Sequence, residues 1–409
     1  MDLHTDYKII KTCTTKSIIS NTTMAHDEGA PWLAVAAANY SALPTDVLYD
    51  VLLRLPAKEL CRLRVVCRSW QSLTSDQLFA RAHSRCHPPH AVVLGFRSHE
   101  VRVVDLHGRV VKRIPIGHRR GEVLSTHGDM LCVSHGWGLA YVLNLTTGAV
   151  VADITVESRS KVNRDKPMCV MGHVPSTGEY KLLRIQSPSR DDYNNGMFVT
   201  PSQTCQIMAL GSGGGRNRPL WRSRPRPPAL LSCESVAVVA GVAYFLLQAE
   251  GGEAEPDSIA LFDMATEKWK DTTIQGPLSS SIILSGEEVM YRTLYRKQFR
   301  LARLNERLVT VYCNFDESST ELWLLEDMDE SIWIKQYTLQ GTQLFWDEHN
   351  ICNHYPLTVL EDGRILVWVD RRPAGALRAY DPRTSTWADL ATLSGGVVSM
   401  HHGSLLCSN

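Results

Sequence analysis

Apolar positions recur at helical spacing in one early stretch of the chain and at strand spacing almost everywhere after it. Between residues 43 and 85, Val47, Leu48, Val51, Leu52 and Leu55, then Leu60, Leu63 and Val66, return every three or four positions, the period of one helix face. Pro44 precedes the first run and Pro56 separates it from the second; a proline ring is tolerated at a helix start but not inside one. Thr45 and Asp46 can each accept a backbone N–H at the first helix's start. The pattern predicts three helices over 41–85, the third beginning near Ser75 or Asp76. Residues 86–90, CHPPH, read as a linker, because Pro-Pro cannot continue a helix. Residues 1–40 are expected to be a disordered extension, with Met24 a second possible start.

From Ala91 onward short β-rich runs follow one another: AVVLGF, EVRVVDL, RVVKRIPI, MLCVS, LAYVLNL and AVVADI, separated by turn signals such as HGR, HGD and TTG. No later stretch reads as a long amphipathic helix, so 91–409 is expected to be all-β. Its units also echo one another. NLTTGAVVADI, FDMATEKWKDTTI and YDPRTSTWADL each place a polar turn and a Thr before a strand, and the last two share the frame [FY]-D-x-x-T-x-x-W-x-D. VAGVAYFLL and LEDGRILVWV each set a turn Gly before an apolar strand ending in aromatics. Imperfect recurrence over tens of residues marks a repeat architecture, and a β-propeller of about six to eight degenerate blades is expected.

The helical stretch resembles the F-box motif. The matching residues are Leu43-Pro44, Asp46, Val47, Leu48, Leu52, Arg54-Leu55-Pro56, Lys58, Leu60, the Arg62-x-Arg64-x-x-Cys67-Arg68-x-Trp70 run, Asp76, Phe79 and Ala80. The resemblance implies docking to a Skp-family adaptor and, through it, to the cullin and RING subunits of a ubiquitin ligase. Carried over residue by residue, the adaptor face is Leu43, Pro44, Val47, Leu48, Leu52, Leu55, Pro56, Leu60, Leu63, Val66, Cys67 and Trp70. About half of these are needed for the core of so small a unit. Leu43, Pro44 and Trp70, at the ends, are favoured for intermolecular contact, since large aromatics often anchor interfaces. The segments 172–185, 205–223, 241–247, 259–278, 301–313, 321–339, 359–370 and 377–387 together resemble the plant F-box-associated domain, a kelch-related family. The regular Gly-Gly doublets of a strict kelch repeat are missing.

Charge and composition narrow the function classes. Of 409 residues, 43 Lys and Arg balance 43 Asp and Glu, which offers no global attraction to nucleic acid or an anionic membrane. The longest apolar run, from Ser235, falls short of a membrane span. Eleven cysteines without a repeating spacing favour reduced, buried thiols in the cytoplasm or nucleus. The sequons at Asn21 and Asn144 are read as chance matches.

Candidate chemistry is sparse. His83, Cys86, His87 and His90 cluster in sequence, but H-x2-C-H-x2-H fits no zinc spacing, and a helix-to-linker junction is the better reading. Cys61 and Cys67 are expected on different faces of one helix. GSGGGR at 211–216 lacks the Gly-Lys-Ser/Thr of a phosphate loop. His135-Gly136-Trp137-Gly138 has no nucleophile elbow to accompany it. Glu326-Asp327 and Asp329-Glu330 are expected in a solvated turn. RNRPLWRSRPRPP, 216–228, is locally basic and is expected to be an exposed loop more often than a grip for an acidic partner or RNA. Trp221, Trp269, Trp323, Trp333, Trp368 and Trp387 are expected mostly in blade cores. No catalytic residue, metal or cofactor is assigned. The expectation is a non-catalytic specificity subunit whose β-domain binds an unknown protein substrate, without nucleic acid or membrane. A scaffold acting outside ubiquitin transfer, or a propeller binding or enzymatic module with incidental helices, stands as the alternative.

Overall fold

The computed structural model describes residues 45–401 apart from 56, 88, 95–98, 117–121, 135–138, 146, 156–167, 187–202, 211–219, 249–256, 279–297, 343–352 and 372–373. The expected disordered extension, 1–40, lies outside the described residues. Two compact units divide at His87 and Pro88.

Among its described residues the first unit contains four helices: α1 (Thr45–Leu53), α2 (Ala57–Leu63), α3 (Arg68–Ser75) and α4 (Gln77–Cys86). The second of the three expected helices is therefore two. The break falls at 64–67, where two β-branched residues, Val65 and Val66, precede Cys67 in an extended conformation (φ −160, ψ 163). Cys61 and Cys67 accordingly lie in α2 and at the N-cap of α3, not on one helix. Asp76 starts α4 as an N-cap, its Oδ1 accepting from the amides of Leu78 (2.8 Å) and Phe79 (3.0 Å). Arg64 donates to the Thr74 carbonyl at 2.8 Å and ties off the end of α3. The helices meet over Leu52, Leu60, Trp70, Phe79 and Ala80, with Tyr49 edge-on to Phe79 at 5.1 Å.

The second unit is a six-bladed β-propeller, six antiparallel sheets of four strands each. The first blade combines β1 (His90–Leu94), β2 (Glu100–Val104) and β3 (Val110–Pro115) with the last strand, β24 (Gly396–His401). The second holds β4 (Glu122–His127), β5 (Met130–Ser134), β6 (Leu139–Asn144) and β7 (Val150–Thr155). The third holds β8 (Met168–Val174), β9 (Glu179–Gln186), β10 (Thr204–Leu210) and β11 (Arg222–Arg224). The fourth holds β12 (Leu231–Val239), β13 (Val242–Leu247), β14 (Ile259–Asp263) and β15 (Lys268–Trp269). The fifth holds β16 (Phe299–Leu304), β17 (Arg307–Asn314), β18 (Ser319–Asp327) and β19 (Ile332–Gln340). The sixth holds β20 (His354–Val359), β21 (Ile365–Arg371), β22 (Ala374–Asp381) and β23 (Thr386–Ser394).

Strands β24, β4, β8, β12, β16 and β20 pack each against the next, and β20 against β24, so the innermost strands close a ring. Pairing of β24 with β1, from His90↔His401 to Leu94↔Gly396, joins the two ends of the domain in one sheet. Each inner strand remains the edge of its own sheet, and the ring of neighbours protects it.

The hydrophobic core is not one mass but six clusters, one between each pair of neighbouring blades. In β21, Ile365, Val367 and Val369 face the fifth blade while Leu366 and Trp368 face the first. A strand buried on both sides has no need to alternate apolar with polar, which accounts for the unbroken runs in the middle strands. Gly375, on β22, has no side chain because Trp368 occupies that space: a Cβ there would lie 2.0 Å from Cζ2 of the indole.

Of the echoing segments, VAGVAYFLL and LEDGRILVWV span turns from first to second strand, and the others span turns from third to fourth. Asp263, Asp327 and Asp381 each accept backbone N–H groups two or three residues on, through Oδ1. Four residues after each comes a residue with positive φ: Glu267 (58), Ser331 (54) and Ser385 (54). Two further on stand Trp269, Trp333 and Trp387. Their indole N–H groups donate to carbonyls that belong with the preceding blade, Pro225 (3.0 Å), Gln275 (2.8 Å) and Gln340 (2.8 Å). Asp105 with Gly108, and Asn144 with Gly148, repeat the turn in the first two blades, where Val111 and Val150 take the tryptophan's place and are exposed. Only Trp368 among the expected core tryptophans is fully buried; Trp221, Trp269, Trp323, Trp333 and Trp387 are half-buried. An indole that must deliver its N–H across a blade junction stays near the surface.

Candidate functional site

Most of the side chains assigned to the docking face are turned inward within the helical unit. Leu52 and Leu60 are fully buried and Trp70 is 8 % exposed; Leu48, Leu55, Leu63, Val66 and Cys67 pack partly buried against them. Trp70, favoured for intermolecular contact, thus lies in the core, because α3 turns Trp70 and Thr74 inward together. Val47 is the described candidate left open, at 44 %. Leu43, Pro44 and Pro56 lie outside the described residues. Two further apolar side chains stand in water, Val65 (88 %) and Leu78 (71 %). Both are out of phase with the helical stripe, beside Val66 and Phe79, and that mismatch is the signal a stricter reading of period would use.

The histidines at the end of this unit have a structural use. His83 donates its Nε2–H to the Leu55 carbonyl (2.7 Å) and His87 donates to that of Leu53 (3.0 Å). Their rings lie 4.2 Å apart, clasping the end of α1. Burial, with the neighbouring His87, holds the His83 imidazole below its ordinary range. Among the described residues no group of three His, Cys, Asp or Glu is placed to hold a metal ion.

In the propeller the two faces differ in how the strands are joined. Connections from first to second strand, such as 240–241 and 305–306, and from third to fourth, such as 264–267 and 382–385, are tight turns. On the opposite face, connections such as 156–167, 187–203, 248–258, 270–298 and 341–353 are long. Tight turns fix residue types through Asx hydrogen bonds and positive φ, whereas long connections leave composition free. The long-connection face is where recognition residues can vary, and most of those residues lie outside the described set.

GSGGGR, His135–Gly138 and Asn21 lie outside the described residues. Asn144 is 4 % exposed and its side chain receives the Thr147 amide, so it is closed to modification. Asp327 caps its own turn and Glu326 pairs with Arg307. The basic stretch is not simply a free loop: Arg222 and Arg224 sit in β11 and pair with Glu267 of the next blade, which also receives Lys181 at 2.9 Å. Burial alone would raise the Glu267 pKa; hydrogen bonds from Lys181 and Arg224 outweigh it and hold the carboxyl below its usual range. The described cysteines are free, and burial pushes the Cys169 thiol up to about 12. No helix of the described residues is long and apolar enough to cross a membrane.

Comparison with known proteins agrees with these divisions. Residues 40–85 match the F-box-like family model, and residues 97–386 match the model of the F-box associated beta propeller domain. The F-box protein At3g07870 of Arabidopsis thaliana is 24% identical over 391 residues, covering 85% of this chain and 87% of that protein. The F-box protein At4g19940 of the same plant is 22% identical over 315 residues, 71% of each. Among solved structures, TolB from Acinetobacter baumannii superposes with a TM-score of 0.41 at 14% identity, over 78% of this chain and 66% of that one.

Proposed function

Because the chain belongs to the plant F-box proteins that carry an F-box-associated β-propeller, we propose that it is a substrate-recognition subunit of an SCF-type ubiquitin ligase. The helical unit docks a Skp-family adaptor, which links it to cullin and RING subunits. The propeller binds a protein substrate through its long-connection face. Holding the substrate beside a ubiquitin-charged enzyme raises its effective concentration there. The chain supplies specificity and leaves bond-making to other subunits, acting in the cytoplasm or nucleus.

The observation that carries this reading is the pairing, in one chain, of an F-box with a closed propeller whose long connections, apart from 211–221, lie on one face. The test is a binding measurement between the full chain and a purified Skp-family adaptor, with Leu43→Ala/Pro44→Ala as the paired variant. Binding by the natural chain and its loss in the variant are expected. An unmutated, folded chain that does not bind the adaptor would overturn the proposal.

A further inference from the structure

The outer edge of the third blade concentrates positive charge in a fixed geometry. Residues 220–228 hold Arg222, Arg224 and Arg226 with no acidic side chain, and prolines at 225, 227 and 228. Strand β11 pairs with β10 on one side only, through Ile207↔Arg222 to Cys205↔Arg224, and ends the sheet. Glu267 faces three cations at once, Lys181, Arg222 and Arg224, so one negative charge meets three positive ones. The segment is anchored at both ends. The Arg184 guanidinium lies 4.5 Å from the Trp221 ring centre, and the Trp269 indole N–H holds the Pro225 carbonyl at 3.0 Å. Arg222 spends one N–H on Glu267 and keeps its side chain 49% exposed; a guanidinium has five such donors. Arg226 is exposed and has no partner among the described residues. Beside them Leu220 is 78 % exposed. The connection entering this strand, 211–221, is the long exception on the face of tight turns.

We propose that this edge, residues 220–228, is a docking site for an extended polypeptide segment with acidic side chains at alternate positions. Arg222 and Arg224 share one face parity of β11 and stand about 6.6–6.8 Å apart, the spacing of alternate residues in a facing strand; Arg226 follows two residues on, just past the strand's end. Up to Arg224 the free edge of β11 offers main-chain groups to an added strand; Pro225, Pro227 and Pro228 have no N–H to give beyond it, so there the cation excess, which selects the partner's charge, makes the contact. Because Arg222 and Arg224 are already held by Glu267 and the prolines fix φ, little order remains to be imposed on binding. Nucleic acid fits less well: the Trp221 face is covered by Arg184, so it presents no open platform for a base.

The test uses the full chain and a short fluorescein-labelled peptide of alternating Glu and Thr, read by anisotropy at low salt. Saturable binding is expected, weakened about tenfold by Arg222→Gln/Arg226→Gln and about threefold by Arg226→Gln alone, the scale of exposed charge pairs. Arg226 supports nothing else in the fold, so its variant decides the matter even if the double variant unfolds. Equal affinity of the natural chain and Arg226→Gln overturns the proposal. So does tighter binding of a single-stranded oligonucleotide of matched charge, lost in the same variants. The Leu43→Ala/Pro44→Ala chain keeps full peptide affinity, which separates this site from adaptor docking.

Discussion

Val47 and Leu52 lie five residues apart on α1 and were assigned to one docking face, yet they answer to different physics. Val47 is 44 % exposed and Leu52 is fully buried. Full burial of a Val side chain is worth about 1.5–3 kcal/mol. An adaptor that covers the remaining 44 % of Val47 gains about 1 kcal/mol, so Val47→Ser should weaken adaptor binding about fivefold and leave the helices intact. Leu52→Ala instead removes core atoms and costs about 2–5 kcal/mol of folding stability, a large share of what so small a unit holds. Its affinity loss should therefore track a loss of helix. Calorimetric titration of each full-length variant with the adaptor, alongside far-UV circular dichroism and urea unfolding, separates the two effects. Unchanged affinity of a folded Val47→Ser chain would refute an exposed docking role for Val47. Weakened binding by Leu52→Ala with the helical signal and urea midpoint unmoved would equally refute a core role for Leu52.

Three predictions concern the propeller. Gly375→Ala places a Cβ 2.0 Å from Cζ2 and 2.3 Å from Cη2 of the buried Trp368 ring; overpacking of this kind costs roughly 1–3 kcal/mol, so scanning calorimetry should show a lower midpoint. Trp387→Phe keeps the aromatic contact with Tyr380 (4.9 Å) but withdraws the N–H given to the Gln340 carbonyl. A loss of about 1 kcal/mol is expected in denaturant unfolding, and no loss would deny the tether. His127 has its pKa lowered to about 3, first by burial and then by Arg303 and His173. Its unfolded counterpart titrates near pH 6.5. As pH falls from about 6.5 toward 3, the unfolded state takes up a proton that the folded state refuses. Stability therefore declines across that window, and in His127→Gln the decline should be shallower.

The change of period at residue 91, the all-β character beyond it, and the repeat frame ending in Trp269 and Trp387 were legible because each is a local pattern. Blade number was less so. Val111 and Val150 stand where three other blades place Trp, and the Asp327–Trp333 turn lacks the Thr of its counterparts, so the sequence supports a range that the structure narrows to six. Strand β4 is hard to read because its residues, EVLSTH, mix apolar and polar positions; an innermost strand meets neighbouring blades on both faces. The inward position of Trp70 was likewise beyond a motif match, which aligns residues without saying which side of a short helix faces its neighbours. Pairing of Arg222 and Arg224 with Glu267 joins residues more than forty positions apart, and no local pattern announces such a contact.

Blade divergence of this degree raises the question of what keeps the ring in register. Apolar burial between blades drives assembly but is non-directional, and degenerate cores alone would tolerate sliding. Each junction also carries a polar tie. Lys112 and Tyr141 donate to the Leu145 and Ile116 carbonyls between the first and second blades. Ser125 receives the Met171 amide between the second and third. Lys181 and Trp269 bind the third to the fourth, Trp333 the fourth to the fifth, and Trp387 the fifth to the sixth. Arg102 donates to the Ser394 carbonyl and joins the first blade to the sixth. Hydrogen bonds are directional, so these contacts fix how neighbouring blades meet even where the repeat has lost its tryptophan. Their donors sit in the strands, and their acceptors in strands, turns or the first residues of a connection, as Ile116, Pro225 and Gln275 do. Sequence change beyond those anchor points can then accumulate without loosening the ring.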